Sequence, residues 1–304
     1  MSSWWRLSVP ASSANLGPGF DALGLALSPS LRCRFRRAEQ LTISVSGREV
    51  ELISTGESNL IWQTALTVAL HTGEQMPPVE LEIHNGIPLG KGLGSSAAAL
   101  TAGVILADCM LGLKWKNSRI LDEAARIEGH PDNVAACVLG SVVASAIDSN
   151  GMTRAVRLEL AERFQVGVVV PDFALPTREA RAALPASYSR ADAVFNVQRS
   201  ALLIAALATG TVSAFPAALE DRMHQPYRQK LVPGLEEILR LRAPGLLGCC
   251  LSGAGPSILV FFEKGNEDVV VHVQQIFEAH GHQAEILDAQ VDRAGYQLEK
   301  EEAG

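Results

Sequence analysis

The sequence predicts a mixed fold of helices and strands divided into two domains. In the segment 79–83 three apolar residues alternate with two glutamates, which is the period-two pattern of a half-buried strand. The segment 97–111 is instead almost wholly apolar and rich in helix formers, and Gly112 follows it as a helix-ending residue. Because 304 residues suffice for two hydrophobic cores, we expect domains at 1–160 and 161–304.

Alternating patterns and short apolar runs predict the remaining strands. They lie at 7–9, 31–35, 41–45, two within 141–158, 166–170, 246–251, 258–262 and 284–287, the last being the final strand. The strands at 31–35 and 41–45 are expected to pair antiparallel, with interleaved arginines on a solvated face. The first strand is expected to end at Pro10, because residues 11–21 are too small and glycine-rich for regular structure.

Helical periodicity and capping residues predict the remaining helices. They lie at 60–71, 118–128, a short one from 134, 176–181, 191–207, 216–224, 233–240 and 269–279. Asn59 stands where the N-cap of the first helix belongs, and Ser95 and Ser96 stand where that of the helix 97–111 belongs.

The composition excludes several classes of protein. A net charge of −7 gives no support to nucleic-acid binding. We find no run of eighteen apolar residues free of polar groups and no signal-peptide pattern, so no membrane span is expected. The five cysteines form an odd set without metal-ligand spacing, which indicates reduced core thiols and a cytoplasmic location.

The junction between the strand 79–83 and the helix 97–111 predicts an anion site. Gly90, Gly92 and Gly94 leave backbone amides uncovered, and the positive end of the helix dipole follows them directly. The spacing differs from that of a Walker A loop, since only three residues separate Gly86 from Gly90. Phosphate is the natural ligand of such a loop. The alternative is a plain glycine turn before a core helix.

A cluster of polar residues follows the predicted helix 118–128. Glu128 ends that helix, where the negative end of the dipole disfavours a carboxylate, so a cation is expected beside it. His130, Asp132 and Asn133 come next, although Asp132 or Asn133 alone would also serve as an N-cap. One carboxylate among oxygen ligands suits Mg²⁺, and the absence of a histidine–cysteine cluster argues against zinc.

Three ordered motifs resemble those of the GHMP small-molecule kinases. They are PASSANLGPGFDALG at 10–24, PLGKGLGSSAA at 88–98 and LSGAGPS at 251–257. A further run, EGHPDNV at 128–134, is typical of the members that phosphorylate L-homoserine. The resemblance covers nearly the whole chain. It implies a two-domain α+β fold, with a ribosomal-protein-S5-like N-terminal domain and a ferredoxin-like C-terminal domain, and with ATP and substrate bound between them.

The same resemblance assigns roles to residues of this chain. The expected ATP contacts are Asn59, Pro88, Leu89, Gly90, Lys91, Gly92, Leu93, Gly94, Ser95, Ser96, Ala97 and Ala98. The expected Mg²⁺ ligands are Glu128 and Ser96. The expected substrate contacts are Asn15, Asp21, His130, Arg181 and Arg228. Asn133, Glu128, Thr177 and Arg181 are the expected catalytic residues.

Within this set, Asp21 would face the substrate ammonium, and Arg181 with Arg228 would hold its carboxylate bidentately. Arg222 is an alternative to Arg228. We find no secure catalytic base, so we expect direct phosphoryl transfer with Asn133 close to the substrate hydroxyl. The resemblance also implies a homodimer.

Three other functions remain open at this point. Another GHMP kinase would act on mevalonate or a sugar, substrates without the ammonium that Asp21 would bind. A serine hydrolase would use Ser95 or Ser96 with His130, but the sequence lacks the Gly-x-Ser-x-Gly elbow. A non-catalytic nucleotide sensor would leave Glu128 and Arg181 without a role.

Overall fold

Two sheets organise the part of the chain that the computed structural model describes, residues 3–301. The strands are β1 (Trp5–Ala14), β2 (Leu23–Arg37), β3 (Thr42–Gly47), β4 (Val79–Asn85), β5 (Val142–Ile147), β6 (Thr153–Leu158), β7 (Phe164–Pro171), β8 (Leu246–Leu251), β9 (Ile258–Glu263), β10 (Ala284–Leu287) and β11 (Gln297–Lys300). The α-helices are α1 (Leu60–Thr72), α2 (Ser95–Leu111), α3 (Asn117–Glu128), α4 (Asp132–Leu139), α5 (Thr177–Ala182), α6 (Arg190–Thr209), α7 (Gln225–Arg228), α8 (Leu235–Arg240) and α9 (Val269–Ala279).

The first sheet has the order β11-β1-β2-β4-β3, and β5 joins it by pairing with β2 and β6. The predicted pairing of the strands at 31–35 and 41–45 is wrong. β4 lies between β2 and β3, antiparallel to β2 and parallel to β3. The period-two pattern reports which face of a strand is buried but carries no information about its neighbour.

Helices α2 and α4 pack against β1 and β2 of this sheet, α3 contacts β6, and α1 packs on α2. Close backbone approach fixes the start of α4 over the sheet, because a Cβ at Gly24 of β2 would lie 2.3 Å from the carbonyl oxygen of Asp132. This approach brings the start of α4 against the segment that follows β1. The residues at 11–24 and 128–134, distant in sequence, therefore meet.

The second sheet is antiparallel, in the order β10-β7-β9-β8, and α9 and α8 pack against it. The arrangement confirms the expected α+β fold class. The last strand returns to the first sheet, where β11 pairs antiparallel with β1. The C-terminal end of the predicted second domain thus contributes to the first sheet, and the boundary at residue 160 stays a prediction.

Three other expectations about elements are wrong. β1 continues past Pro10 to Ala14. The register of its pairing with β2 shifts between Pro10 and Ala11, and this irregularity accommodates a proline, which has no backbone N–H to donate. The region 216–224 forms a short 3-10 turn, Ala217–Leu219, and then an irregular loop, where a helix was expected. The strand 284–287 is followed by β11, whose polar sequence QLEK carries no strand signal.

The described residues include one helix, α6, that is long and apolar enough to cross a membrane by length and composition alone. One helix of this kind is weak evidence for a span, and the expectation of no membrane span stays a prediction. All five cysteines are free and four are buried, as expected of core thiols, and the cytoplasmic location stays a prediction.

Candidate active site

One cavity lies between the two sheets and gathers most of the residues assigned from the sequence. Loops from both parts of the chain line it, with Ala254 and Gly253 of the third glycine motif closing one side. Its lining includes the predicted residues Asn15, Asp21, Gly90, Gly92, Leu93, Gly94, Ser95, Ser96, Ala97, Glu128, His130, Asn133, Thr177, Arg181 and Arg228. Five predicted residues lie outside the lining, namely Asn59, Pro88, Leu89, Lys91 and Ala98.

The glycine loop before α2 needs its glycines for two separate reasons. Gly90, Gly92 and Gly94 all have positive φ, 66°, 77° and 66°, which side chains disfavour. Gly92 is also pressed against the third motif, because a Cβ there would lie 2.2 Å from the carbonyl oxygen of Ser252. The expectation that Ser95 and Ser96 cap α2 is wrong. Gly94 is the N-cap, and both serines are the first residues of the helix.

Lys91 in this loop turns away from the cavity. Its buried ammonium donates to the carbonyl oxygens of Pro171 and Phe173, each at 2.9 Å. Burial lowers the pKa of Lys91, while the charges of Glu49 and Asp172 oppose that shift. Lys91 therefore ties the loop to the end of β7, and it lies outside the cavity lining.

Asn133, the expected catalytic amide, is held from behind by Ser12. The buried Ser12 hydroxyl donates to Asn133 Oδ1 at 2.9 Å, and the Ser12 backbone amide donates to the carbonyl of Leu93 at 3.1 Å. With Oδ1 occupied in this way, the Nδ2 group is the part of the amide left to face the cavity. Ser12 was one of several small polar residues in the first motif, and nothing in the sequence separated it from Ser13.

Glu128 lies at the cavity wall beside His130, whose Nε2 is 3.9 Å from Glu128 Oε1. Burial raises the pKa of Glu128 and the charge of Asp132 adds to this, against the opposing effects of His130 and Arg181. On the other side of the ring, His130 Nδ1 is 2.6 Å from Asp132 Oδ1. Burial alone would lower the pKa of His130, but the hydrogen bond and charge of Asp132 outweigh it and raise that pKa.

Asp21 and Arg181, expected to bind opposite ends of one substrate, bind each other in this structure. Two hydrogen bonds join them, from Nη2 to Oδ1 at 2.9 Å and from Nη1 to Oδ2 at 3.2 Å. Asn15 supports Asp21, because its Oδ1 accepts from the Asp21 backbone amide at 3.0 Å. Both Asn15 and Asp21 have positive φ, 71° and 53°, so this loop is strained as functional loops often are.

Arg228 is buried at the cavity wall, and its contacts distinguish it from Arg222. Its Nε donates to Ala180 O at 3.2 Å and its Nη1 to Gly253 O at 3.1 Å, and within residues 3–301 no carboxylate lies within ion-pair distance of it. Burial, together with the charge of Arg181, lowers the pKa of Arg228 to about 10. Arg222 instead pairs with Asp192 at 3.3 Å, outside the cavity lining. Of the two candidates, Arg228 is the one that lines the cavity, and its role as a carboxylate ligand stays a prediction.

Three other predicted residues lie outside the cavity or at its edge. Asn59 caps α1, as expected, with its Oδ1 accepting from Ile61 and its Nδ2 donating to Ser54. The Leu89 backbone amide donates to Glu49 at 2.6 Å. Thr177 is exposed as the first residue of α5 at the cavity edge. Their nucleotide and catalytic roles stay predictions.

Comparisons with known proteins match the chain to a family over both of its parts. Residues 59–141 match the GHMP kinases N terminal domain, and residues 203–279 match the GHMP kinases C terminal domain. A homoserine kinase of Solibacter usitatus is 68% identical over 296 residues, 97% of each chain. The chain belongs to the GHMP kinase family, among its homoserine kinases.

Two further relatives extend the match. A homoserine kinase of Deinococcus radiodurans is 41% identical over 97% of each chain. The crystal structure of homoserine kinase from Cytophaga hutchinsonii superimposes with a TM-score of 0.84 at 26% identity, covering 98% of each chain. The family identified from three glycine motifs is therefore confirmed.

We expect Lys91→Met to destabilise the protein without affecting nucleotide binding. Methionine keeps the length of the side chain, but the carbonyls of Pro171 and Phe173 lose their donor. The free energy of unfolding, measured by urea titration, should therefore fall by roughly 1–3 kcal/mol. The ATP dissociation constant, measured by calorimetry, should change less than about threefold.

Gly94→Ala is the contrasting variant. Its Cβ would lie 2.0 Å from Ser12 Oγ, so the loop must move and ATP binding should fall sharply. If Lys91→Met weakened ATP binding as much as Gly94→Ala, the Lys91 side chain would have to contact phosphate after all.

Proposed function

We propose that the protein transfers the γ-phosphoryl group of ATP to the hydroxyl of L-homoserine, giving ADP and O-phospho-L-homoserine on the route to threonine. One observation supports this most strongly. A single cavity combines an amide-lined loop at the start of α2 with a carboxylate, Asp21, and two arginines, Arg181 and Arg228. A phosphate donor fits the first and an amino-acid zwitterion fits the second. The cytoplasmic location and the homodimer expected from the sequence belong to this proposal.

The residues beside the loop fit a magnesium ion. Glu128 is a largely buried carboxylate whose pKa burial raises, so it lacks full charge compensation, and Ser96 offers a hydroxyl from the first turn of α2. Carboxylate and hydroxyl oxygens are the donors that Mg²⁺ prefers, with phosphate oxygens completing its coordination. Bound there, the ion would neutralise charge on the β- and γ-phosphates. We therefore propose Glu128 and Ser96 as its protein ligands.

Recognition of homoserine would proceed by exchange of ionic partners. The Asp21–Arg181 pair is only partly buried, with side chains 34% and 40% exposed, so it can open at modest cost. The substrate ammonium would then take the place of Arg181 beside Asp21, and the carboxylate would take the place of Asp21 beside Arg181. Arg228 supplies a second cation that is already fixed and needs no rearrangement.

The transfer itself needs alignment and charge stabilisation more than covalent participation of the protein. Asn133, with its Oδ1 bound by Ser12, would donate from Nδ2 to the attacking hydroxyl oxygen or to a phosphoryl oxygen. An amide cannot remove a proton at neutral pH, so the hydroxyl proton would pass to a phosphate oxygen as the bond forms. This supports direct transfer in preference to general-base catalysis.

A coupled ADP-release assay tests the proposed substrate. We expect turnover with L-homoserine and little with mevalonate or galactose, because only homoserine satisfies Asp21 and both arginines together. Background ATP hydrolysis without substrate is the control. Comparable kcat/KM values for galactose and homoserine would contradict the proposal.

Glu128→Gln should fold normally and lose magnesium-dependent activity. The amide keeps the shape of the side chain but removes the charge that a hard cation requires, so kcat/KM should fall at least about a hundredfold. Rates are to be measured across a magnesium titration, with Glu179→Gln, an exposed residue outside the cavity lining, as control. Near-normal activity at every magnesium concentration would remove Glu128 from the metal site.

Arg181→Ala should weaken use of homoserine by about 2 kcal/mol, or roughly thirtyfold in kcat/KM, since it removes a partner of the substrate carboxylate. The ATP dissociation constant should barely change. The matched control is Arg222→Ala, an arginine outside the cavity lining.

The corresponding amino alcohol, in which the carboxylate is reduced, completes this test as a double-mutant comparison. It should lose little further activity in Arg181→Ala. Equal proportional losses for homoserine and the amino alcohol would show that Arg181 does not contact the carboxylate.

A further inference from the structure

A fully buried histidine, His224, lies behind the cavity and is not accounted for by the proposed function. It is 0% exposed, and it precedes α7, the short helix that carries Arg228. His224 Nδ1 is 3.0 Å from Arg228 Nη1, and His224 Nε2 is 2.7 Å from the carbonyl oxygen of Gly17. One imidazole therefore joins an arginine of the cavity to the loop that carries Asn15 and Asp21.

These two contacts determine the protonation of the ring. An arginine can only donate, so His224 Nδ1 must accept from Arg228. A carbonyl can only accept, so Nε2 must carry the hydrogen and donate to Gly17. The ring is then neutral and in a single tautomer. Burial lowers the pKa of His224 and the charge of Arg228 acts in the same direction; together they outweigh the opposing charge of Asp221 and favour this neutral form.

The surroundings of the ring leave it little freedom to move. Asp221 Oδ2 is 3.5 Å from Nε2, and this carboxylate also accepts from the backbone amides of His224 and Gln225, at 3.0 and 2.7 Å. The ring of Phe20, which lines the cavity, stacks on the imidazole with centroids 5.4 Å apart. His224 is thus fixed from its backbone, one ring edge and one ring face.

Arg228 depends on this contact more than an ordinary surface arginine would. Apart from His224, its hydrogen-bond partners in the described structure are two backbone carbonyls, on Nε and Nη1, and its guanidinium carbon lies 5.8 Å from the centroid of the Phe20 ring. Its Nη2 group has no partner among residues 3–301, which leaves it available to a ligand in the cavity. A guanidinium meets a carboxylate well only when its plane is set, and Nδ1 of His224 is the one side-chain acceptor that sets it.

We propose that His224 is a positioning residue for substrate recognition, acting through Nδ1 on the guanidinium of Arg228. This rests on the proposed function, in which Arg228 binds the carboxylate of the amino-acid substrate. His224 does not touch that substrate. It fixes the orientation of the Arg228 guanidinium, while the hydrogen bond from its Nε2–H to Gly17 O fixes the ring relative to the loop that carries Asp21.

Two amide variants separate the two edges of the ring. In His224→Asn the side-chain oxygen lies near the position of Nδ1 and can still accept from Arg228. In His224→Gln the amide nitrogen lies near the position of Nε2 and can still donate to Gly17, but the acceptor for Arg228 is lost. Both variants lose the stacking on Phe20, so they differ in which contact of the ring they keep and in one methylene of length.

We expect His224→Gln to raise the KM for homoserine about tenfold or more, the effect of losing one hydrogen bond to a charged group. His224→Asn should raise it less than about threefold. The KM for ATP should stay unchanged in both. Equal losses in the two variants, or parallel changes in both KM values, would show that the ring serves only as packing and would overturn the proposal.

A double variant tests the route through Arg228. In an Arg228→Ala background, His224→Gln should cause little further increase in the KM for homoserine, because the group it positions is already absent. A full additional tenfold increase would contradict the proposal. Failure of the proposed function is distinguishable, since it would show in the unmodified protein as no turnover of homoserine at all.

The wild-type protein provides a measurement that does not depend on whether the variants fold. In protein labelled with ¹⁵N-histidine, the imidazole in contact with Phe20 should show an unprotonated Nδ1 and a protonated Nε2 at neutral pH. Its Nδ1 resonance should shift when homoserine is added and not when ADP is added. A doubly protonated ring, or an Nδ1 resonance indifferent to homoserine, would overturn the assignment.

Discussion

Direct backbone contact between three glycine-rich loops holds the two sheets around one cavity. The amide of Gly253 donates to Ala14 at 3.1 Å, and the amide of Ser257 donates to Lys91 at 3.2 Å. The hydroxyl of Ser252 donates to the carbonyl of Gly92 at 2.7 Å. Such contacts require residues without side chains at the crossing points. Every position in the cavity, from Asn133 to Arg228, is set relative to this junction.

The cavity is electrostatically prepared for a ligand that carries both charges. Arg228 is buried against carbonyl dipoles instead of a carboxylate, so part of the cost of its desolvation is left for a ligand to offset. In this structure Asp21 and Arg181 form an ion pair, so neither charge is left unpaired in the partly buried site. The sequence predicted that Asp21 and Arg181 would each bind the substrate. The structure shows in addition that they bind each other.

Sequence patterns predicted the features that depend on neighbouring residues, such as helix caps and the buried faces of strands. Asn59 was identified as a cap because its side chain acts on the next two or three residues, and the strand at 79–83 was identified because burial alternates along it. The neighbours of strands were not predictable in this way, as the parallel pairing of β3 with β4 illustrates. The roles of Lys91 and Ser12 were also out of reach, because their partners, Phe173 and Asn133, lie about eighty and one hundred and twenty residues away.

The return of β11 to the first sheet has a consequence for how the chain can fold as it is made. Trp5 pairs with Lys300 and Ser8 with Gln297, so the outer edge of β1 stays uncovered until nearly the whole chain has been synthesised. An exposed strand edge of this kind invites pairing with other chains. During synthesis the first sheet therefore stays incomplete until residues 297–300 have left the ribosome. The same pairing places Trp5 and Lys300 side by side at one edge of the sheet, and such closeness of two segments far apart in sequence is the geometry that circular permutation requires.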